Sequence, residues 1–169
     1  MKRSVAWTLL VMLCLTAGIA RAEEELASLG ESYEFDDFGA SFLGYRVTQV
    51  ANKNYIYIYM DYKNQSDAPQ MFDSACMVFV YQDDEMCEVP GNDLPGTKFY
   101  EITLPGQTGK YAFAYALYNT ETSVTVQMMP GSQIRVAPSF RKGIRTYVFD
   151  ISMAPEDIAH GYTWDEITP

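Results

Sequence analysis

Basic residues, histidine and cysteine are scarce in this chain, and each shortage closes off a class of function. Only 12 Lys and Arg face 22 Asp and Glu, giving a formal charge of −10. Nucleic acids and anionic lipids bind proteins largely through Lys and Arg, so a surface of this sign repels both. No nucleic-acid partner is expected. The single histidine, His160, lies near the C-terminus. A Ser or Cys nucleophile needs a base within hydrogen-bond reach, usually a His. His160 therefore reads as an ordinary surface or packed side chain. Helical periodicity is missing too. No stretch as long as three helical turns carries a convincing apolar stripe, which disfavours alternating βαβ folds.

What the chain does contain begins with residues 1–22. Lys2 and Arg3 open it, Val5 to Ala20 follows without a charge, and Ala20-Arg21-Ala22 places small residues where a signal peptidase reads. This is the pattern of a secretory signal cleaved after Ala22. The apolar run is too short for a confident membrane span, so no stable span is expected in the mature chain. Removing Lys2, Arg3 and Arg21 leaves nine basic residues and a mature charge of −13. The expected location is secreted or periplasmic. Cys14 lies inside the apolar run behind Leu13, where lipidation expects a small residue. Cys76 and Cys87 remain as an even pair in an oxidising compartment, and a disulfide between them is the favoured expectation over two buried thiols.

The organisation expected is a signal at 1–22, a flexible lead at 23–31 and a domain at 32–169, with a C-terminal extension from about 155. Within the domain the side-chain period is two. The clearest strand is Asn54 to Asn64, with Ile56, Ile58, Met60 and Tyr62 on one face and Tyr55, Tyr57, Tyr59 and Asp61 on the other. Further strands are expected at Tyr33–Phe35, Ser41–Val50, Ala75–Gln82, Met86–Val89, Lys98–Leu104, Lys110–Tyr118, Ser123–Met128, Ile134–Ala137 and Gly143–Ile151. A helical turn is expected at Pro155–Ala159. Short strands broken by Asn-, Asp-, Pro- and Gly-rich turns predict an all-β, two-sheet antiparallel β-sandwich, with a closed barrel as its rival.

The order of several segments resembles a known group. Tyr55 to Tyr62 leads into Asn64-Gln65-Ser66-Asp67, and a later strand ends Val80-Tyr81-Gln82-Asp83. Ile102-Thr103-Leu104-Pro105-Gly106 then precedes Tyr115-Ala116-Leu117-Tyr118 and Val124-Thr125-Val126. Over residues 40–128 the chain resembles exported bacterial families of unknown function in the immunoprotective extracellular, immunoglobulin-like superfamily. The resemblance implies an Ig-like sandwich and brings no catalytic residues with it. Many members are lipoproteins anchored by a Cys at the end of the signal, which this chain lacks. The segment after Met128 lies beyond the matched part.

No catalytic residue, metal ligand or cofactor is assigned. Asp36-Asp37 and Asp83-Asp84-Glu85 could be taken for glycosidase carboxylates or calcium ligands. Neighbouring turn residues point apart, however, and no calcium-loop spacing is present, so they read as solvated turn acids. Leu94-Pro95-Gly96-Thr97 lacks the Gly and the apolar tail of a cell-wall sorting signal and reads as a loop. Asn64-Gln65-Ser66 matches a glycosylation sequon by chance. The row Tyr55, Tyr57 and Tyr59 is the candidate ligand or partner strip, since exposed tyrosines suit sugar stacking and protein anchoring. Covered by another segment, the row would instead be outer core. The expected function is a non-catalytic Ig-like interaction module meeting a protein or glycan at the cell envelope. A carbohydrate-binding module using the strip and an exported inhibitor are the alternatives.

Overall fold

The computed structural model describes residues 29–90, 94, 97, 101–137 and 140–151, together with the backbone of Ala159–His160. The signal, its cleavage point, the first part of the lead and most of the C-terminal extension lie outside the described residues.

Alternating β-branched and aromatic residues set the longest elements, as such side chains pack well on a pleated surface. Strands β1 (Tyr33–Glu34), β2 (Phe38–Val50) and β3 (Lys53–Asn64) run antiparallel, and β8 (Thr108–Ala116) completes the path β1-β2-β3-β8. The pair β11 (Ala159–His160) adds to β2 beside Arg46 and Tyr45. The second sheet runs β10 (Arg145–Phe149), β9 (Val124–Pro130), β5 (Cys76–Gln82), β6 (Glu85–Met86). A separate pair joins β4 (Gln70–Met71) to β7 (Ile102–Thr103). The architecture is an all-β antiparallel sandwich of two main sheets.

The core lies between the two sheets, as the alternation of β3 requires. Ile56, Ile58, Met60 and Tyr62 are fully buried against Val80, Val126 and Met128 of the other sheet. Each such aliphatic side chain contributes about 1.5–3 kcal/mol by leaving water. Tyr147 and Phe149 of β10 close one side, with ring centroids 4.5 Å from Phe42 and 4.4 Å from Tyr45 respectively. The β2–β3 and β5–β6 hairpins turn through Ala51-Asn52 and Asp83-Asp84, all four at positive φ. Two consecutive left-handed residues match the twist of flanking strands, and Asn and Asp tolerate that conformation best. Asp83 and Asp84 are thus turn residues, as their sequence suggests.

Two expectations fail here. Ile134–Ala137 is not a strand, because Gly131–Arg135 forms a 3-10 helix. Gly131 sits so close to the chain that an added Cβ would stand 2.5 Å from the Ser74 carbonyl oxygen, and this tight crossing turns the backbone away from an extended path. The Cys76–Cys87 disulfide is not formed either; both thiols are free and buried. The register explains it. The Cys87 N–H donates to the Val80 carbonyl at 2.7 Å, which places Cys87 opposite Val80. Cys76 stands four residues further along β5, about 13 Å away at strand rise. A disulfide needs Cα atoms within about 7 Å. Both cysteines lie in the same core cluster as Tyr115, whose hydroxyl donates to the Val78 carbonyl at 2.8 Å.

Candidate functional site

The tyrosine row occupies the outer face of the β1-β2-β3-β8 sheet, as its alternation demands, but it is not an exposed strip. Tyr55, Tyr57 and Tyr59 retain 8, 5 and 1% of their exposure. The cause is in the register: Tyr55 faces Ala116, Tyr57 faces Ala114 and Tyr59 faces Ala112 on β8. Three small residues on the neighbouring strand leave room for three rings. Leu43 belongs to the same cluster, and Val50, Leu94 and Ala116 pack against it. The row is therefore a second, smaller core on the back of the sheet. The reading of these residues as a ligand strip is corrected accordingly. The alternation Ala112-Phe113-Ala114-Tyr115-Ala116 holds the signal, which becomes readable once β3 and β8 are paired.

Asp61 ends the same face, in a cross-strand row with Ser41 and Lys110. Its Oδ1 is buried and has no hydrogen-bond partner. Burial raises the pKa of this carboxyl, and the Lys110 charge opposes the rise.

One end of the sandwich carries a cleft built by loops. Its volume is about 500 Å³. The β1–β2 turn supplies Phe35, Asp36 and Asp37 on one side. Gln70, the end of the short helix α1 (Phe72–Ala75), the 3-10 helix, Lys142 and Gly143 complete the lining. Internal bonds hold these walls in place. The Gln65 N–H donates to the Asp37 carbonyl at 2.9 Å, and the Gln65 amide donates to Glu34. The Lys142 N–H donates to Gln133 Oε1 at 3.1 Å, and Arg141 Nε donates to the Val136 carbonyl at 3.1 Å. The Phe35 ring stacks on Phe38 at 4.5 Å, which joins the turn to the core. Sequence reasoning identified Asp36 and Asp37 correctly as turn acids. It missed the cleft because part of the lining comes from residues about 100 positions further along the chain.

Asn64 anchors the same end. It is fully buried, and its amide nitrogen donates to the carbonyls of Ala68 and Thr103, both at 2.8 Å. Its Oδ1 accepts from the Ser66 N–H at 2.9 Å and the Ser66 hydroxyl at 2.8 Å. The Gly106 N–H closes on the Asn64 carbonyl at 2.8 Å, with Gly106 at φ 74° after Pro105. Only a residue free of a Cβ takes that angle cheaply, and Pro presets the angle before it. With every polar atom of its side chain bonded and no exposure, Asn64 is a structural residue. The sequon it begins has no accessible acceptor. At the opposite end Gln82, also buried, clamps the β8–β9 loop by accepting from the N–H groups of Tyr118 at 2.8 Å and Asn119 at 3.2 Å.

Two packed antiparallel sheets joined by loops define a β-sandwich. The chain belongs to the family described as Domain of unknown function (DUF5067), whose model matches residues 25–130. Among curated proteins none is similar enough in sequence to count as a relative. Solved structures share the fold. A candidate lipoprotein from Staphylococcus aureus matches with a TM-score of 0.56 and 15% identity, over 75% of this chain and 92% of its own. An uncharacterised β-sandwich protein from Clostridium difficile matches with a TM-score of 0.54 and 12% identity, over 76% of this chain and 95% of its own. A candidate lipoprotein from Bacillus subtilis matches at 10% identity and a TM-score of 0.48, over 71% of this chain but 38% of its own length. This chain thus spans about two fifths of that protein. Among the described residues, no helix is long and apolar enough to cross a membrane.

Proposed function

We propose that the chain is an exported, non-catalytic, Ig-like interaction module of the cell envelope, and that it binds through the loop-built cleft. The observation that carries the reading is the cleft itself. Asp36 and Asp37 make no side-chain hydrogen bond among the described residues, although the backbone around them is tied down. Fixed walls with unengaged polar groups are what a binding site offers, since little ordering remains to be done when a ligand arrives. The side chains best suited to nucleophilic chemistry lie elsewhere and are silenced. Burial pushes the Cys87 thiol up to about 11 and the Cys76 thiol higher still, so both stay protonated at neutral pH. Export is supported by the basic start, apolar run and small-residue end of residues 1–22. An envelope location fits the description of the Staphylococcus aureus neighbour as a candidate lipoprotein.

The test is co-sedimentation of the mature protein, beginning at Glu23, with a washed bacterial cell-envelope fraction. The unaltered protein is expected in the pellet. The double variant Asp36→Ala/Asp37→Ala is expected in the supernatant while keeping its melting temperature. Equal pelleting of the two, or no pelleting of either, would contradict binding through this cleft.

A further inference from the structure

We infer that the cleft takes a neutral saccharide unit, an assignment that rests on the cleft being the binding site. The argument comes from which polar atoms the fold has already used. Gln70 Oε1 accepts from the Tyr62 hydroxyl at 2.5 Å. Gln133 Oε1 accepts from the Lys142 N–H at 3.1 Å. A backbone N–H can only donate, so the Lys142 bond fixes the Gln133 carbonyl end towards the protein, and the Gln70 carbonyl end is the one placed against the Tyr62 hydroxyl. Each amide nitrogen is then left as a donor without a partner among the described residues, on a side chain that lines the cleft. The Lys142 ammonium adds a further donor. In the same lining, the Asp36 and Asp37 carboxylates offer only acceptors.

A ligand that satisfies both sets must accept from the amide and ammonium donors and donate to the carboxylates. A row of hydroxyl groups does this, because each hydroxyl is donor and acceptor at once. An inorganic anion would be repelled by the two carboxylates, and a simple cation would leave three donors unmet. A purely apolar ligand would strand all of these groups at a cost of about 1–3 kcal/mol for each one buried without a partner. The cleft volume of about 500 Å³ falls within the range of small-molecule sites, about 300–1,000 Å³. The same carboxylates set selectivity: an acidic sugar would bring its own negative charge against Asp36 and Asp37. A saccharide role therefore survives in this protein, on different residues from the tyrosine row.

The experiment is amide-proton NMR titration of the mature protein with glucose, N-acetylglucosamine, glucosamine and glucuronate, each added to millimolar excess. Shifts are expected for the neutral sugars at residues 35–38, 70–75, 131–134 and 142–143, with glucuronate about tenfold weaker. Gln70→Glu and Gln133→Glu keep the carbonyl acceptor that Tyr62 and Lys142 use but remove the donor, so each is expected to fold normally and to weaken the neutral sugars about tenfold. Unchanged affinity in both variants would overturn the assignment. So would shifts centred elsewhere, no shift with any neutral sugar, or a response to glucosamine alone, which would mark an ion-pair site. If envelope co-sedimentation still depends on Asp36 and Asp37 while every neutral sugar fails, the interaction module stands and the saccharide assignment falls.

Discussion

Raising the pH from 8 to 11 is expected to unfold the mature protein cooperatively. The sign follows from two buried thiols. Cys76 and Cys87 retain 1 and 2% of their exposure. Burial lifts Cys87 from the ordinary value near 9 to about 11, and lifts Cys76 further. Below pH 9 both thiols are neutral in the folded and unfolded chains alike, and stability is intact. Between pH 9 and 11 the unfolded chain gives up its protons while the folded chain keeps them, so the folded state loses ground steadily. The slope is about 1.4 kcal/mol per pH unit for each thiol, or about 5 kcal/mol for the two by pH 11. Buried Tyr62, Tyr115 and Tyr147, whose hydroxyls burial also pushes up, add to the loss above pH 10. That sum is comparable with a total stability of about 5–15 kcal/mol. Circular dichroism against pH reads the transition, and Cys76→Ala/Cys87→Ala is expected to flatten the slope between pH 9 and 10. A native spectrum persisting to pH 12 would show that the thiols and hydroxyls are not held as described.

Asn64→Ala is expected to lower the melting temperature by about 10 °C. The substitution takes the Asn64 donor from the Thr103 and Ala68 carbonyls, the latter keeping the Ser66 hydroxyl at 3.0 Å, and leaves the Ser66 N–H without its acceptor. A buried polar group left unpaired costs about 1–3 kcal/mol, and the Thr103 carbonyl and Ser66 N–H together with the weakened Ala68 bond cost about 3 kcal/mol. For a domain of this size that is about 10 °C. Thermal unfolding followed by circular dichroism measures it. Because Asn64 ties the loop after β3 to the Pro105-Gly106 turn at the cleft end, the variant is also expected to bind envelope more weakly at a temperature where it remains folded. A shift of under 2 °C would mean that the bonds of Asn64 are replaceable by water.

These two effects differ in how far the sequence announces them. The faces of β3 were legible from alternation alone: Ile56, Ile58, Met60 and Tyr62 inward, the tyrosines of 55, 57 and 59 outward. That the outward face is also covered depends on which residues lie across from it. Ala112, Ala114 and Ala116 hold that information, but strand pairing must be known before they can be matched to the rings. Pairing also decided the cysteines. Cys76 and Cys87 look bridgeable in sequence, and only the placement of Cys87 opposite Val80 separates them. The turns were readable because Pro, Gly, Asn and Asp act locally, as at Pro105-Gly106 and Asp83-Asp84. The strand expected at Ile134–Ala137 failed because a contact between Gly131 and the Ser74 carbonyl, far apart in sequence, sets the backbone there. The cleft was illegible for the same reason, being assembled from residues of the 34–38, 70–75, 130–133 and 142–143 segments.

The central claim is that both faces of the β1-β2-β3-β8 sheet are interior, so that recognition falls to the loops. Brief nitration of the native mature protein, mapped by mass spectrometry, tests it directly. Tyr118, 54% exposed at the end of the sandwich, is expected to be modified first, with Tyr55, Tyr57 and Tyr59 unmodified until the protein unfolds. Early nitration of Tyr57 or Tyr59 in the folded protein would contradict the account and return the tyrosine row to the surface.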